Sequence, residues 1–599
     1  MCGVCGEICF GTTTPDVGAV AAMTGSMTRR GPDGSGLFAK GAVTLGHRRL
    51  KIIDLSERGA QPMIDPELGV ALVFNGCIYN HRELRKELES KGYRFFSHAD
   101  SEVILKAFHA WGPDCVDRLI GMFAFAVVDT DSGTLTLARD RLGIKPLYLA
   151  ETPGRLRFAS SLQALLRGGD VDTTIDRVAL HHYFSFHSVV PAPHTIFNGV
   201  RKLPPATVRT ITPDGRSTER RYWAPTFAPH PDRADWDERR WQHELLDSLR
   251  TSVRRRMVAD VPVGVLLSGG IDSSLVVALL AEQGQTDLAT FSIGFDSAGG
   301  ESGDEYEYSD LVADTFATDH HKIHIGTDRL LPAVPGTIAA MSEPMVSHDC
   351  VAFYLLSEEV SKSIKVVQSG QGADEILGGY GWYPTLRHTP RDDTTAAYAK
   401  VFFDRDHAAI AELLGDRYLL AEDYDPSWEF AHAHQSAPGA RTAVDAALRL
   451  DTTVMLVDDP VKRVDTMTMA WGLEARVPFL DHEFVELAAT CPPDLKLAHG
   501  GKGILKDASR SLLPSAVIDR TKGYFPVPGI RHLDGGVLDL VADTLRSTAA
   551  IDRGLFRPEA LDRLFADPNG LRTTLDANEL WQVAMLEMWL QTTEAGTAS

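Results

Sequence analysis

Cysteine is scarce, seven in 599 residues and an odd number. That argues against a disulfide-stapled scaffold and suits a reducing compartment. No apolar run approaches the roughly 18 residues that a membrane helix needs, and no signal peptide precedes the first motif. A cytoplasmic protein is the expectation. Positive charge is in deficit, with 60 Lys and Arg against 81 Asp and Glu and a net charge of −21. This argues against a general nucleic-acid or anionic-membrane binder but leaves room for a local basic pocket. Repeats and low-complexity segments are missing, and so is a G-x-x-x-x-G-K-[ST] phosphate loop. No second C-x-x-C or Cys/His pair stands at zinc spacing, so Cys2-x-x-Cys5 does not read as half of a metal site.

What is present is an ordinary globular composition, 44% apolar and 24% charged. The length exceeds one core; at roughly 150 residues per domain, two or more domains are expected. The most informative stretch is Val261 to Leu280. Val261 to Leu267 is apolar and β-branched, as a strand covered on both faces should be. Ser268-Gly269-Gly270 breaks the pattern, and Asp272, Ser273 and Ser274 open an apolar run long enough for a helix. A strand feeding a helix N-terminus through glycines aims unpaired N–H groups at one spot, which favours phosphate. Asp272 lies inside that loop. A carboxylate beside phosphates is repulsive unless a cation bridges them, so Mg²⁺ is implied.

The chain opens Met1-Cys2-Gly3. Loss of Met1 would leave one residue carrying both a soft nucleophile and a neighbouring amine base, suited to attack on a carboxamide. Beyond it, Gly69 to Phe74 reads as a strand ending at Asn75-Gly76, and Asn80 as the cap of a helix over His81 to Lys91. Met122 to Asp129 and Thr134 to Arg139 read as a hairpin. Leu288 to Phe295 and Lys365 to Gln368 read as further strands of a βαβ sheet, the latter running into a second glycine turn, Ser369-Gly370-Gln371-Gly372-Ala373-Asp374-Glu375. Both turns then lie at one sheet edge, where Asp374 and Asp272 would share one Mg²⁺. Glu301 to Asp310 reads as an exposed acidic loop.

SGGIDSS resembles the pyrophosphate loop of the ATP pyrophosphatases. Together with Met1-Cys2-Gly3 it resembles the glutamine-dependent asparagine synthetase family over essentially the whole chain. The resemblance implies an α/β two-domain protein: an N-terminal αββα glutaminase sandwich of the N-terminal-nucleophile type over 1–222, a linker at 223–235, and an ATP-pyrophosphatase synthetase domain with a parallel sheet over 236–599. It implies Cys2 as nucleophile, with Asn75 and Gly76 as oxyanion hole. Arg49 would hold the α-carboxylate of glutamine and Asp100 its α-ammonium. Leu266 and Ile293 would line the adenine site, and Ser268, Gly269, Gly270, Asp272, Ser273, Ser369 and Gly370 would surround the ATP phosphates. Lys502 would be the catalytic lysine, and Lys522-Gly-Tyr-Phe-Pro526 a second basic loop over the site. Met467 and Met469 read as core, and Arg476 with Asp481 as a structural pair.

Two positions depart from the family pattern. Cys77 stands where Asn-Gly-Glu is usual, which removes a carboxylate from the glutamine pocket. Gln371 stands where SGEGADE is usual, which replaces an acceptor-site base with a neutral amide. With the block from Glu343 to Phe353, these features resemble the N-acetylglutaminylglutamine amidotransferases, which implies amidation of a dipeptide α-carboxylate to make an osmoprotectant. Asparagine synthesis from aspartate is the alternative, and a sensor with decayed sites is a third reading. The expected partners are small molecules (glutamine, ATP and a carboxylate acceptor) with no nucleic acid and no membrane; a homodimer is compatible with the sequence.

Overall fold

The computed structural model describes residues 2–297, 303–521, 523 and 528–598. The strands before residue 222 are, in chain order, β1 (Gly3–Cys9), β2 (Gly34–Lys40), β3 (Val43–Arg49), β4 (Met63–Asp65), β5 (Val70–Ile78), β6 (Gly121–Asp129), β7 (Leu135–Arg139), β8 (Tyr148–Thr152), β9 (Arg155–Ala159), β10 (Arg201–Lys202), β11 (Thr207–Ile211) and β12 (Ser217–Arg221). They form two antiparallel sheets, ordered β10-β8-β9-β1-β3-β2 and β12-β11-β7-β6-β5-β4.

Alternation along the strands explains why the sheets stack. In β5, Ala71 and Val73 face a core shared with Val4, Ile8, Val43 and Leu45 of the first sheet. Val70, Leu72 and Phe74 face the other way, onto Leu84 and Leu88 of helix His81–Ser90 and Val103 and Ile104 of helix Asp100–Trp111. Helices Val17–Ser26 and Leu162–Arg167 cover the outer face of the first sheet. The result is the expected αββα sandwich. Two local expectations differ. β5 does not stop at Asn75-Gly76; Asn75, Gly76 and Cys77 pair with Ala124, Phe123 and Met122 of β6, because the partner strand is long enough to carry the ladder through a turn-like dipeptide. Asn80 does not cap the next helix with its side chain; its Oδ1 accepts from Ile120 N at 2.9 Å instead.

Beyond residue 236, helix Glu238–Arg255, capped by Asp237, leads into a parallel sheet. Its strands are β13 (Val263–Leu266), β14 (Ala289–Phe295), β15 (Asp319–Ile325), β16 (Val366–Gln368) and β17 (Glu474–Arg476). The order is β15-β14-β13-β16-β17. The chain works outward from β13 to β15, then returns to lay β16 against the other side of β13, so the order reverses between β13 and β16. In such sheets a crevice opens at the carboxyl ends of the strands at that point, and both glycine turns leave from there. A helical run from Ala443 to Met469 is interrupted by two π turns, Asp451–Met455 and Val457–Val461.

The expected acidic loop is partly wrong. Tyr306–Phe316 is a helix, whose Ser309, Val312 and Ala313 are buried; these small and apolar positions at helical spacing outweigh the acidic ones. Residues 301 and 302 lie outside the described residues, as do Lys522, Tyr524, Phe525 and Pro526 of the expected second basic loop. Among the described residues, no helix is long and apolar enough to cross a membrane.

Candidate functional site

Cys2 immediately precedes β1 and is buried. Its backbone N–H donates to Asn75 Oδ1 at 2.9 Å. That bond sets the amide orientation, since an N–H needs an acceptor. Asn75 shares the β5 face of Ala71 and Val73 and is fully buried, and among the described residues its Nδ2 has no hydrogen-bond partner. A buried, unspent amide donor beside a thiol is what an oxyanion hole requires. At Gly76 the backbone has φ +153°, and a Cβ there would strike Met122 O and Phe123 Cα, so only glycine fits. Burial pushes the Cys2 thiol above its ordinary pKa. The Cys5 thiol lies 3.3 Å from Thr24 Oγ1, and all seven cysteines are free.

Arg49 ends β3, its guanidinium anchored to Ser56 O at 2.8 Å and Asp54 O at 2.5 Å. Asp100 opens its helix, and its Oδ2 accepts from Ile78 N at 3.0 Å, which ties it to the strand that carries Asn75. Burial raises the pKa of the Asp100 carboxyl.

The second site forms where β13 and β16 end. Ser273 Oγ lies 3.2 Å from both Ser268 N and Gly270 O, which closes the first turn on itself. A Cβ at Gly370 would come 2.9 Å from both Asp272 Cβ and Ser273 N, so glycine lets the second turn touch the first. Ser369 N donates to Arg476 O of β17 at 2.8 Å. Leu266 is buried and Ile293 half-buried, both packed in the sheet core. Lys502 is buried rather than a surface lysine, and its Nζ lies 2.7 Å from Asp272 Oδ2 and 2.9 Å from Asp374 Oδ1. Burial pushes this ammonium down, but the two carboxylates overcome it and hold the pKa well above the usual lysine value. Gln371 is half-buried on the same turn.

Two family models divide the chain between them: the glutamine amidotransferase domain over residues 1–223 and asparagine synthase over residues 244–591. The chain belongs to the glutamine-dependent asparagine synthetase family. Asparagine synthetase [glutamine-hydrolyzing] 1 of Bacillus subtilis is 32% identical, over 85% of this chain and 84% of its own length. Asparagine synthetase B of Escherichia coli is 30% identical over 88% and 80%, and a putative asparagine synthetase of Mycobacterium tuberculosis is 33% identical over 95% and 93%. This asparagine synthetase relative is thus a glutamine-hydrolysing carbon–nitrogen ligase that forms AMP and pyrophosphate.

For Mg²⁺ the fit rests on the two carboxylates that converge on Lys502 Nζ. A pair of aspartates held around one cation suits an ion that takes its remaining ligands from phosphate and water. Among the described residues no cluster of three or more His, Cys, Asp or Glu side chains forms a self-sufficient metal site.

One expected pair is wrong. Arg476 does not bind Asp481; its Nε donates to Glu474 Oε1 at 2.6 Å, while Asp481 takes Arg256 at 3.0 Å and Arg255 at 3.3 Å. Alternation along β17 puts Glu474 and Arg476 on one face, a signal the sequence offered. Other residues at the junction had no such signal. Arg30 Nε donates to Cys2 O at 3.5 Å, and its Nη2 to Asp465 Oδ2 at 3.1 Å. Lys145 reaches the other Asp465 oxygen at 2.9 Å. Beside them lies a cavity of about 440 Å³, lined in part by Arg30, Ile144, Lys462, Asp465 and Met469. An apolar cluster also crosses the junction, joining Cys77, Met122, Leu142 and Ile144 to Leu456, Val461, Met469 and Val477.

Proposed function

We propose that Cys2 releases ammonia from glutamine and that the second site fixes it onto a carboxylate activated as an acyl-adenylate. The observation that carries this reading is the presence in one chain of a thiol beside an unspent amide donor and a lysine seated between two aspartates at a sheet switch point. In this reading residues 1–222 are the glutaminase unit, 223–235 the linker and 236–599 the synthetase unit. The amine of Cys2, exposed by loss of Met1, takes the thiol proton as sulfur adds to the glutamine carboxamide carbon. Asn75 Nδ2 and the Gly76 N–H hold the oxyanion. Collapse expels ammonia, leaving a thioester that water hydrolyses to glutamate. Arg49 and Asp100 hold the two ends of the amino-acid head.

In the synthetase unit an acceptor carboxylate oxygen attacks the α-phosphorus of ATP and pyrophosphate leaves. Lys502 offsets the charge that builds on the transferring phosphate oxygens. Asp272 and Asp374 would hold Mg²⁺, which supplies charge neutralisation on the pyrophosphate when bound. Ser268 to Ser273 with Ser369 and Gly370 cradle the phosphates, and Leu266 and Ile293 bracket adenine. Ammonia then attacks the acyl carbon and AMP departs. The apolar cluster at the junction is the path we assign to it, since neutral ammonia crosses apolar surface without a counter-ion.

For the acceptor we propose the terminal α-carboxylate of N-acetylglutaminylglutamine. Gln371 supports this: an amide hydrogen-bonds a neutral amide side chain or a carboxylate that Glu would repel. Asparagine synthesis is the second reading, favoured by the activity named for the Bacillus subtilis and Escherichia coli relatives. A screen of pyrophosphate release with N-acetylglutaminylglutamine, aspartate and free dipeptides decides between them. Activity with aspartate alone selects the second reading. Label in the glutamine amide nitrogen should appear in the product, and ADP in place of AMP would overturn both.

A further inference from the structure

The chain carries a net charge of −21, yet the cavity at the junction is walled by the opposite sign. Its volume is about 440 Å³, within the range of small-molecule pockets. Arg29, Arg30, Arg139, Lys202 and Lys462 line it. Among the described residues that line it, only Asp458 and Asp465 are carboxylates. Neither Cys2 nor Lys502 lines it, so it is distinct from both reaction sites.

Pairing inside the wall leaves positive charge over. Asp465 is shared by Arg30 at 3.1 Å and Lys145 at 2.9 Å. Asp458 takes Lys202 at 2.8 Å. Arg139 is held by main-chain carbonyls: its Nε, Nη1 and Nη2 donate to Lys145 O, Leu203 O and Gly143 O at 2.9, 2.7 and 2.8 Å. Carbonyls fix a guanidinium in place without cancelling its charge. Arg29 is exposed and lies over the Trp471 ring at 5.6 Å; among the described residues its side chain has no ion pair or hydrogen bond. Lys462 is the least satisfied. Its side chain is 8% exposed, and its Nζ is buried without a hydrogen bond among the described residues. The carboxylate oxygen it approaches, Glu343 Oε2, is 3.6 Å away and already takes Lys202 at 3.1 Å and Tyr148 Oη at 3.4 Å.

An ammonium has three donors, and leaving them unmade in a buried place is costly. In a wall with surplus positive charge, the group that satisfies them best is an anion. The same surplus separates this cavity from the ammonia path, although the two share Ile144 and Met469. A neutral solute gains nothing from five cations.

We propose that this cavity is a binding site for a small oxyanion, a molecule that carries a carboxylate or phosphate group, with Lys462 and Arg29 as its cationic contacts. Arg29 belongs to the first half of the chain and Lys462 to the second, so the guest bridges the junction. Arg30, in the same wall, reaches Cys2 O at 3.5 Å, which places the guest one side chain from the nucleophilic residue.

The test is titration calorimetry on the full-length chain at fixed ionic strength, without nucleotide or metal, using citrate and inorganic phosphate as probes. Saturable binding at one site is expected for at least one probe, and the probe that binds tells a carboxylate guest from a phosphate guest. Lys462→Gln should weaken binding about tenfold or more, the scale of one charge-assisted hydrogen bond. Arg29→Gln should weaken it several-fold; this side chain is exposed, so its loss leaves the fold intact and keeps the test valid if the buried substitution destabilises the protein. Lys502→Met should bind as wild type does. Heats that never saturate with either probe would overturn the proposal, and so would binding that ignores both cavity substitutions. Binding lost in Lys502→Met but kept in Lys462→Gln would overturn it by assigning the anion to the nucleotide site.

Discussion

At the scale of single residues, the two sites contrast in how they store their charge. Asn75 keeps its amide donor unspent among the described residues, whereas Lys502 spends its ammonium on two aspartates. Asn75→Ala should lower kcat for glutamine hydrolysis by about 10²–10³, the cost of one oxyanion donor, and leave ammonia-driven synthesis intact; parallel assays with glutamine and with ammonium salts check this. Lys502→Met should do the reverse, abolishing pyrophosphate release while glutamine hydrolysis survives. It should also lower Tm in the absence of nucleotide, because Asp272 and Asp374 lose the buried cation that both of them contact. Cys2, Asn75, Asp272, Asp374 and Lys502 were legible in the sequence because each sits in a short contiguous motif. Arg476 also sits in a motif, but its partner is Glu474 rather than the expected Asp481. Glu474 is the nearer carboxylate along the chain as well as in space, two residues away on the same face of β17, whereas Asp481, five residues on, takes Arg256.

At the scale of elements, the strand–glycine turn–helix units were readable because a strand covered on both faces is continuously apolar and the glycines end it abruptly. The helix at Tyr306–Phe316 was not, because acidic residues run into its first turns and only three of its positions are buried. The π turns between Asp451 and Val461 had no sequence signal beyond Pro460. The first of them buries Asp451 completely, with Tyr383 Oη donating at 2.6 Å and Tyr398 Oη also donating. Burial raises the Asp451 pKa to about 6 despite these donors. An unfolded aspartate releases its proton near 3.9, so folding takes up a proton between about pH 4 and pH 6. Stability from this group is therefore full at the acid end and declines as pH rises through about 6. Asp451→Asn should flatten that part of the Tm-versus-pH curve, measured by calorimetry from pH 4 to 7.

For the whole molecule, the junction between the halves is built from charge as well as apolar packing. Asp465 receives Arg30 and Lys145 from the other side. Burial works against its ionisation, but the two cations hold its pKa below the usual carboxylate range. Asp465→Asn should loosen this seam, releasing Arg30 from one of its two contacts and leaving the other on Cys2 O. The expected result is a glutaminase that runs without synthesis, with the ratio of glutamate to amide product rising several-fold above wild type in a coupled assay. None of this was visible in the sequence: Arg30 and Asp465 are 435 residues apart, and no local pattern links them. One short strand, β17, carries the same lesson further. Its Arg476 carbonyl steadies the turn that starts at Ser369, while the Arg476 guanidinium carbon lies 5.8 Å from the centre of the Tyr79 ring. Transplanting the first 222 residues onto another family member's body would therefore yield a mismatched hybrid, because the guanidinium that covers Tyr79 stays behind in the discarded half.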